Sequence, residues 1–352
     1  MCNRNHYYTV ILAGGIGSRF WPISRETLPK QFLDFASSGR SFLRFTYDRM
    51  KAIVPEENIL VVTLTRYRAL VKMQLPELPE QNILVEEYNR NTAPAITYAT
   101  YHILKRDPEA VMISTPADQV INKHDIFNDT LRKALDYAYE SNELITIGVI
   151  PTRPDPNFGY IQAVGDKESG KAIKVKTFTE KPDIELAKVF LESGEFLWNT
   201  GIFVWKASVI RDELERHAPE ITRLWKGWED VLGTERERQF VQRIYASDCP
   251  RISIDYAVME NTSLAWVIPC EFGWSDVGTW GSLYQLSQHD SCGNVVIGNS
   301  VKVVESEGCM VHVPDEKRVV IQGLKDCIVV EHDGTTLICQ LREEQRIKDW
   351  HD

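Results

Sequence analysis

Short apolar runs alternate with helical stripes through the first half of the chain, and this alternation restricts the fold more than any other feature. Tyr8–Ala13, Ile59–Thr63, Asn82–Val85, Ala110–Ser114 and Leu144–Ile150 read as strands, too continuously apolar for a half-exposed sheet. Between them, Pro94–Arg106 sets Ala95, Ile96, Ala99, Ile103 and Leu104 on one helical face. Asn128–Asn142 does the same with Leu131, Ala134, Leu135 and Ala138. Strand–helix alternation of this kind predicts an α/β fold, a mostly parallel sheet flanked by helices on both faces.

The middle of the chain is more mixed. Tyr160–Gly165 and Lys171–Phe178 read as paired strands, Ile184–Leu191 as a short amphipathic helix after Pro182, and Gly201–Lys206 as a further strand. Arg211–Phe240 reads as a heavily charged helical stretch anchored by Leu214, Ile221, Leu224, Trp225, Trp228 and Val231. Near residue 290 the composition shifts. Val301–Val304, Met310–Val313, Val319–Ile321, Cys327–Val330 and Leu337–Cys339 are short β-rich runs with Gly and Asp between them, which suggests a small sandwich or a few solenoid coils. Arg342–Trp350 reads as a closing helix. Residues 1–288 are therefore expected to form one domain and 289–352 a C-terminal all-β domain.

Charge and cysteines exclude several functions. A formal net charge of −10 disfavours nucleic-acid binding, which needs a broad basic surface. Seven cysteines, odd in number and without CxxC spacing, argue against a zinc site and a secreted disulfide framework, and read as buried free thiols. The N-terminus Met1–Tyr8 has no apolar signal core and no run is long enough to span a bilayer, so the expectation is a cytoplasmic protein with no membrane partner.

Against that acidic background the segment Leu12–Phe32 stands out. Gly14, Gly15 and Gly17 free the backbone to form an anion-binding nest after the first strand. Arg19, Arg25 and Lys30 then place three cations within twelve residues. The loop fits neither the GxGxxG dinucleotide fingerprint nor the Walker A pattern, which disfavours a nicotinamide-dependent dehydrogenase.

The loop resembles the signature of the sugar-nucleotide pyrophosphorylases, specifically the mannose-1-phosphate guanylyltransferases, whose pattern GGxGxRxxPxSRxxxPKQF it matches at every stated position. The resemblance continues through Arg90-Asn91-Thr92-Ala93-Pro94-Ala95, Pro116-Ala117-Asp118, Gly159-Tyr160-Ile161, Glu180-Lys181-Pro182, Asn199-Thr200-Gly201 and Trp274-Ser275-Asp276-Val277-Gly278. Departures are Glu87 where proline is commoner, Gln119 where histidine is, and Thr200 where serine is.

The resemblance implies a Rossmann-like catalytic domain with a β-helix-like C-terminal domain, and transfer of GMP from GTP to α-D-mannose 1-phosphate. It implies Mg²⁺ held by Asp118 and Asp276. Leu12, Ala13, Gly14, Gly15, Gly17, Ser18, Arg19, Asn91 and Thr92 would bind nucleotide, with Arg19 on the β- and γ-phosphates and Lys30 at the α-phosphate. Arg25, Gly159, Tyr160, Glu180, Lys181, Asn199 and Gly201 would bind the sugar phosphate. Guanine offers N1–H and N2–H₂ donors, which suit a carboxylate, and Glu86 at the end of the strand Asn82–Val85 is the candidate reader. A homodimer through the apolar β edges is expected. A single activity is expected too, since the chain reaches Asp352 soon after the β-rich region, short of the isomerase domain that some of these guanylyltransferases carry. The alternatives are a related enzyme using another sugar 1-phosphate or base, and a catalytically silent regulatory paralogue.

Overall fold

The computed structural model describes residues 4–35, 39–167 and 170–350, so the Cys2 thiol lies outside the described residues. The chain divides into two compact units. One holds Met1–Gly14, Leu43–Ala117 and Ile121–Trp274. The other holds Gly15–Phe42, Asp118–Val120 and Ser275–Asp352.

The strands of the first three quarters are β1 (Tyr7–Ala13), β2 (Ile59–Leu64), β3 (Ile83–Glu86), β4 (Val111–Pro116), the two-residue β5 (Val120–Ile121), β6 (Leu144–Val149), β7 (Tyr160–Ala163), β8 (Ile173–Thr179), β9 (Phe196–Lys206) and β10 (Ala265–Pro269). All but β5 form one nine-stranded sheet in the order β3-β2-β1-β4-β9-β6-β10-β8-β7. The pairs β1–β2, β1–β4 and β2–β3 are parallel. β9 runs antiparallel to β4, β6 and β7. Every residue of β2 and β6 is buried, which is why these strands read as unbroken apolar runs. Helix Thr92–Arg106 packs its buried Ile96, Ala99 and Ile103 into the core that holds Val10, Leu60 and Met112. Asn91 caps it, its side chain accepting from the Thr92 N–H at 2.9 Å.

The charged stretch 211–240 is not one helix. It breaks into Ala207–His217, Pro219–Thr222, two single 3₁₀ turns and a helix from Glu237 to Ala246. Pro219 opens the second piece, and Gly227 and Gly233 take positive φ, so the helix cannot propagate through them. Strand β10, which runs parallel to β6, has no counterpart among the runs read from sequence.

In the second unit, β11 (Trp274–Ser275) is followed by β12 (Val295–Ile297), β13 (Val301–Val304), β14 (Met310–His312), β15 (Val319–Gln322), β16 (Cys327–His332) and β17 (Thr335–Gln340). Parallel pairing of β12 with β14, β14 with β16, and β13 with β15 makes successive solenoid coils, and β17 folds back antiparallel on β16. The coils share a core with the N-terminal loop: Phe20, Phe35 and Trp280 meet at ring separations of 4.6, 5.2 and 6.1 Å, beside Val295, Met310, Ile328 and Ile347. The C-terminal part of this unit starts at Ser275 and takes in the loop Gly15–Phe42, whose aromatic residues are buried against the solenoid. The closing segment Leu341–Asp349 is 3₁₀ rather than α-helical. The six described cysteines are free. Cys249, Cys309 and Cys327 are buried, whereas Cys292 is exposed on a turn whose N–H groups point to Asp290.

Candidate active site

The loop residues expected to meet phosphate from Gly15 onward, with Lys30, Asp118 and Asp276, lie in the second unit. Gly17 adopts a left-handed conformation, φ 69° and ψ 40°, and a Cβ there would fall 2.5 Å from the Lys30 Cβ. Ser24 Oγ donates to the Ile16 carbonyl at 2.6 Å and Gln31 Nε2 to the Gly15 carbonyl at 2.9 Å, so the loop is tied along its length. Lys30 is only 3% exposed. Its ammonium donates to Asp118 Oδ2 at 2.9 Å and to the Asp276 main-chain oxygen at 2.6 Å, with the Phe20 and Phe42 rings 5.8 and 5.3 Å away. Asp118, two residues past β4, and Asp276, in the Gly- and Trp-rich turn, thus meet on one buried cation. Asp276 Oδ1 also accepts from the Gly278 N–H at 3.2 Å.

The other two loop cations differ. Arg19 and Ser18 are half-buried, and the Arg19 guanidinium makes no hydrogen bond or ion pair among the described residues. Arg25 is engaged on all three nitrogens: Nε with the Pro22 carbonyl at 2.9 Å, one terminal nitrogen with Asp333 at 2.8 Å and the other with the His332 carbonyl at 3.3 Å. Its partners are those of a clasp on the β-rich region.

Leu12, Ala13, Gly14, Glu86, Asn91 and Thr92, expected to meet the nucleotide, lie in the first unit. The Leu12, Ala13 and Gly14 carbonyls accept from Ala117 N, Thr63 Oγ1 and Asn89 Nδ2 at 3.1, 2.8 and 3.0 Å. Glu86 ends β3 with its carboxyl buried, and a Cβ on Gly14 would sit 3.8 Å from its Oε2. Its Oε1 accepts from the Tyr245 hydroxyl at 2.5 Å. Burial without a neighbouring cation pushes the Glu86 carboxyl up to about 8, the tyrosine hydrogen bond opposing the rise. Asn91 is exposed at φ 69°, and Thr92 Oγ1 accepts from the Ile254 N–H at 2.9 Å.

Gly159, Tyr160, Glu180, Lys181, Asn199 and Gly201, expected to meet the sugar phosphate, lie in the same unit. Glu180 and Lys181 form an ion pair in which the glutamate is buried and the lysine largely exposed. Asn199 N–H donates to the Gly159 carbonyl at 2.8 Å. A Cβ on Gly159 would fall 2.4 Å from Glu180 Oε2 and 3.2 Å from the Asn199 Cβ, so only glycine leaves that carboxylate its place. Gly201 has φ 70° and donates to Asn199 Oδ1 at 3.1 Å. Tyr160 departs from its expected role as a sugar contact: its ring is fully buried and its hydroxyl is taken by the Asp155 main chain.

Two residues escaped the sequence reading. Tyr245 holds Glu86, and Asp255 holds Asn199, Oδ1 accepting from Nδ2 at 2.8 Å. Asp255 is pushed up to about 7 by burial and by the Glu180 charge. The one signal for it was an acidic residue inside the otherwise apolar run Ile254–Met259.

No group of three or more His, Cys, Asp or Glu side chains among the described residues forms a metal-ligand cluster. Asp118 and Asp276 are a smaller set, two carboxylates. Carboxylate oxygens are the donor type that hard divalent cations take, and here Asp276 meets Lys30 through its main-chain oxygen.

Comparison with known proteins places this arrangement. Residues 8–292 match the family described as nucleotidyl transferase. The chain belongs to the nucleotidyl transferase family. Among curated relatives of this nucleotidyl transferase, a putative mannose-1-phosphate guanylyltransferase of Vibrio cholerae serotype O1 is 35% identical over 97% of this chain and 73% of its own length. A mannose-1-phosphate guanylyltransferase of Escherichia coli is 36% identical over 96% of this chain and 72% of its own. A crystal structure described as a mannose-1-phosphate geranyltransferase from Thermus thermophilus superposes with a TM-score of 0.86 at 28% identity, covering 98% of both chains. That likeness spans both the mixed sheet and the strand-rich C-terminal region.

Proposed function

We propose that this nucleotidyl transferase moves GMP from GTP to α-D-mannose 1-phosphate, giving GDP-mannose and pyrophosphate. The observation that carries the chemistry is the buried Lys30 ammonium joining the Asp118 carboxylate to the Asp276 main chain beside a glycine-rich loop. The sugar and the base are carried by the guanylyltransferase relatives.

The nucleophile is a phosphate-monoester oxygen, whose second pKa near 6 leaves it largely dianionic at neutral pH, so no strong general base is needed. The barrier is one anion approaching another, and alignment with charge neutralisation lowers it. Arg19 and the loop N–H groups of Gly15 and Gly17 take the β- and γ-phosphates. Lys30 keeps a fixed positive charge at the α-phosphate and orients Asp118. Glu86 accepts from the guanine N–H donors. Lys181 holds the sugar phosphate, while Glu180 and Asn199 hold sugar hydroxyls. Asp118 and Asp276 would hold Mg²⁺, which supplies a Lewis acid and a template for phosphate oxygens.

The deciding assay is pyrophosphate release across a panel of nucleoside triphosphates and sugar 1-phosphates, with and without Mg²⁺. Metal-dependent release is expected with GTP and mannose 1-phosphate. Faster turnover of another pair would make this a sister enzyme, and GDP-mannose binding without any turnover a regulatory paralogue. A homodimer belongs to the same reading, supported by exposed Val296, Val320 and Ile338 on the β-rich region, and sedimentation as a monomer would remove it. No helix among the described residues is long and apolar enough to cross a membrane, and free cysteines agree with a cytoplasmic setting.

A further inference from the structure

Asp255 belongs to none of the motifs, yet the fold invests in placing it. It opens a π-helical turn, Asp255–Met259, a geometry often found at functional sites. The preceding residues are pinned to the start of helix Thr92–Arg106, through Ile254 N–H to Thr92 Oγ1 at 2.9 Å and Ala93 N–H to the Ile252 carbonyl at 3.1 Å. Asp255 Oδ1 then meets an amide that cannot turn over. Asn199 Oδ1 already accepts from Thr146 Oγ1 and from Gly201 N, both at 3.1 Å, so Nδ2 is the end that faces Asp255.

The charges around it are unbalanced. Two carboxylates, Glu180 and Asp255, act on each other, and Lys181 is the cation that acts on both. Lys181 is the solvent-facing partner: its side chain is 57% exposed, against 8% for Glu180. A sugar phosphate arriving as a dianion competes for that ammonium. Once the ammonium turns to the phosphate, Glu180 loses that donor while Asp255 keeps the Asn199 amide, and further donors to both offset the cost of their burial. Sugar hydroxyls are such donors. An acceptor, a donor and a second acceptor in series match adjacent hydroxyls, each of which can both give and take a hydrogen bond.

We propose that Asp255 is a specificity-determining residue for the sugar, its carboxylate accepting from a hexose hydroxyl next to the one taken by Glu180, with the Asn199 amide between them. This rests on the reading of Glu180, Lys181 and Asn199 as sugar-phosphate ligands. Glu180 and Asp255 thereby select which hydroxyls a hexose 1-phosphate must carry, and Lys181 makes that selection conditional on the phosphate.

The test measures kcat and KM for both substrates in the wild type, Asp255→Asn and Asp255→Ser, with mannose 1-phosphate and its monodeoxy analogues. Loss of one hydrogen bond to a charged group predicts a sugar 1-phosphate KM raised about ten- to a hundredfold in Asp255→Asn, with the GTP KM unchanged. One deoxy analogue that the wild type disfavours should lose its handicap in the variant. That loss of discrimination separates a sugar contact from a merely structural role, and the serine variant gives the same readout should the asparagine variant not fold. An unchanged sugar KM, or an altered KM with the wild-type pattern of deoxy penalties, would overturn the proposal and leave the parent reading standing. A wild type that turns over no hexose 1-phosphate would overturn both.

Discussion

Four carboxylates of the candidate sites, two in each unit, are compensated in different ways. In the second unit Asp118 has Lys30 held against it, and Asp333 has Arg25. In the first unit Glu86 has a tyrosine hydroxyl and no paired cation among the described residues, and Asp255 shares the influence of one lysine with Glu180. The contrast follows from what each set is proposed to bind. A triphosphate would bring negative charge, which positive charge fixed beforehand would meet. A base and a sugar would bring neutral N–H and O–H donors to under-compensated acceptors, and burial raises the carboxyl pKa values of Glu86 and Asp255. The contrast breaks if substitutions in the two sets disturb the same substrate.

The largest effect is expected at the compensated pair. Asp118→Asn removes the charge that Lys30 orients and one of the two carboxylates suited to the metal. It should cut kcat about a hundredfold or more while far-ultraviolet dichroism stays that of the wild type. Near-normal turnover would take Asp118 out of the chemistry.

Next come two glycine substitutions that pit the units against each other. In Gly17→Ala the new Cβ would lie 2.5 Å from the Lys30 Cβ, at a φ of 69°. In Gly159→Ala it would lie 2.4 Å from Glu180 Oε2. Small displacements of positioned groups are costly, so each should raise a KM about tenfold or more, GTP for Gly17→Ala and sugar 1-phosphate for Gly159→Ala. A rise in both KM values from either change would erase the division of labour.

A smaller effect reads the uncompensated side through stability. The folded Glu86 carboxyl, at about 8, lies above its ordinary 4.5, so the native state holds the proton more tightly than the unfolded chain. Its contribution to stability is intact below the ordinary value and is lost as pH rises towards 8. Glu86→Gln lacks that loss. Its Tm relative to wild type should climb between about pH 5 and pH 8 and level off above. A pH-independent difference would mean the carboxyl titrates normally. Retention of the GTP-over-ATP preference in the same variant would end its role as base reader.

How much of this could be read beforehand differs between the units for a physical reason. β2 and β6 are buried on both faces, so their apolar runs announced them. Every motif residue of the loop was also visible, because a tight phosphate loop demands glycines at fixed intervals. The Lys30–Asp118 contact was not visible, since it joins segments that only the fold brings together. The pairing of Asp255 was hidden for the same reason, its partner Asn199 lying on β9, far away in the sequence. β10 was missed because Ala265–Pro269 is short, carries a half-buried Trp266 and ends in proline. The stretch 211–240 misled because its charges and apolar anchors fit a helix, whereas Pro219, Gly227 and Gly233 decide the backbone.

The smallest expected effect tests Arg25, where motif and contacts point apart. The motif sets it among sugar-phosphate ligands. The structure occupies its guanidinium with Asp333, at a pair whose side chains are 33% and 74% exposed, and with two main-chain carbonyls. An exposed pair of this kind contributes no more than about 1 kcal/mol. Arg25→Ala should therefore lower Tm by no more than about 4 °C and leave the sugar 1-phosphate KM within about twofold of wild type. A double-mutant cycle with Asp333→Ala sharpens the point. If Arg25 serves the clasp, its loss matters little once Asp333 is gone. If instead Arg25→Ala raises the sugar 1-phosphate KM about tenfold in both backgrounds, the guanidinium leaves Asp333 for the phosphate when substrate binds. Arg25 would then join Arg19 as a cation available to the ligand, and the second unit's charges would be compensated only in the empty protein.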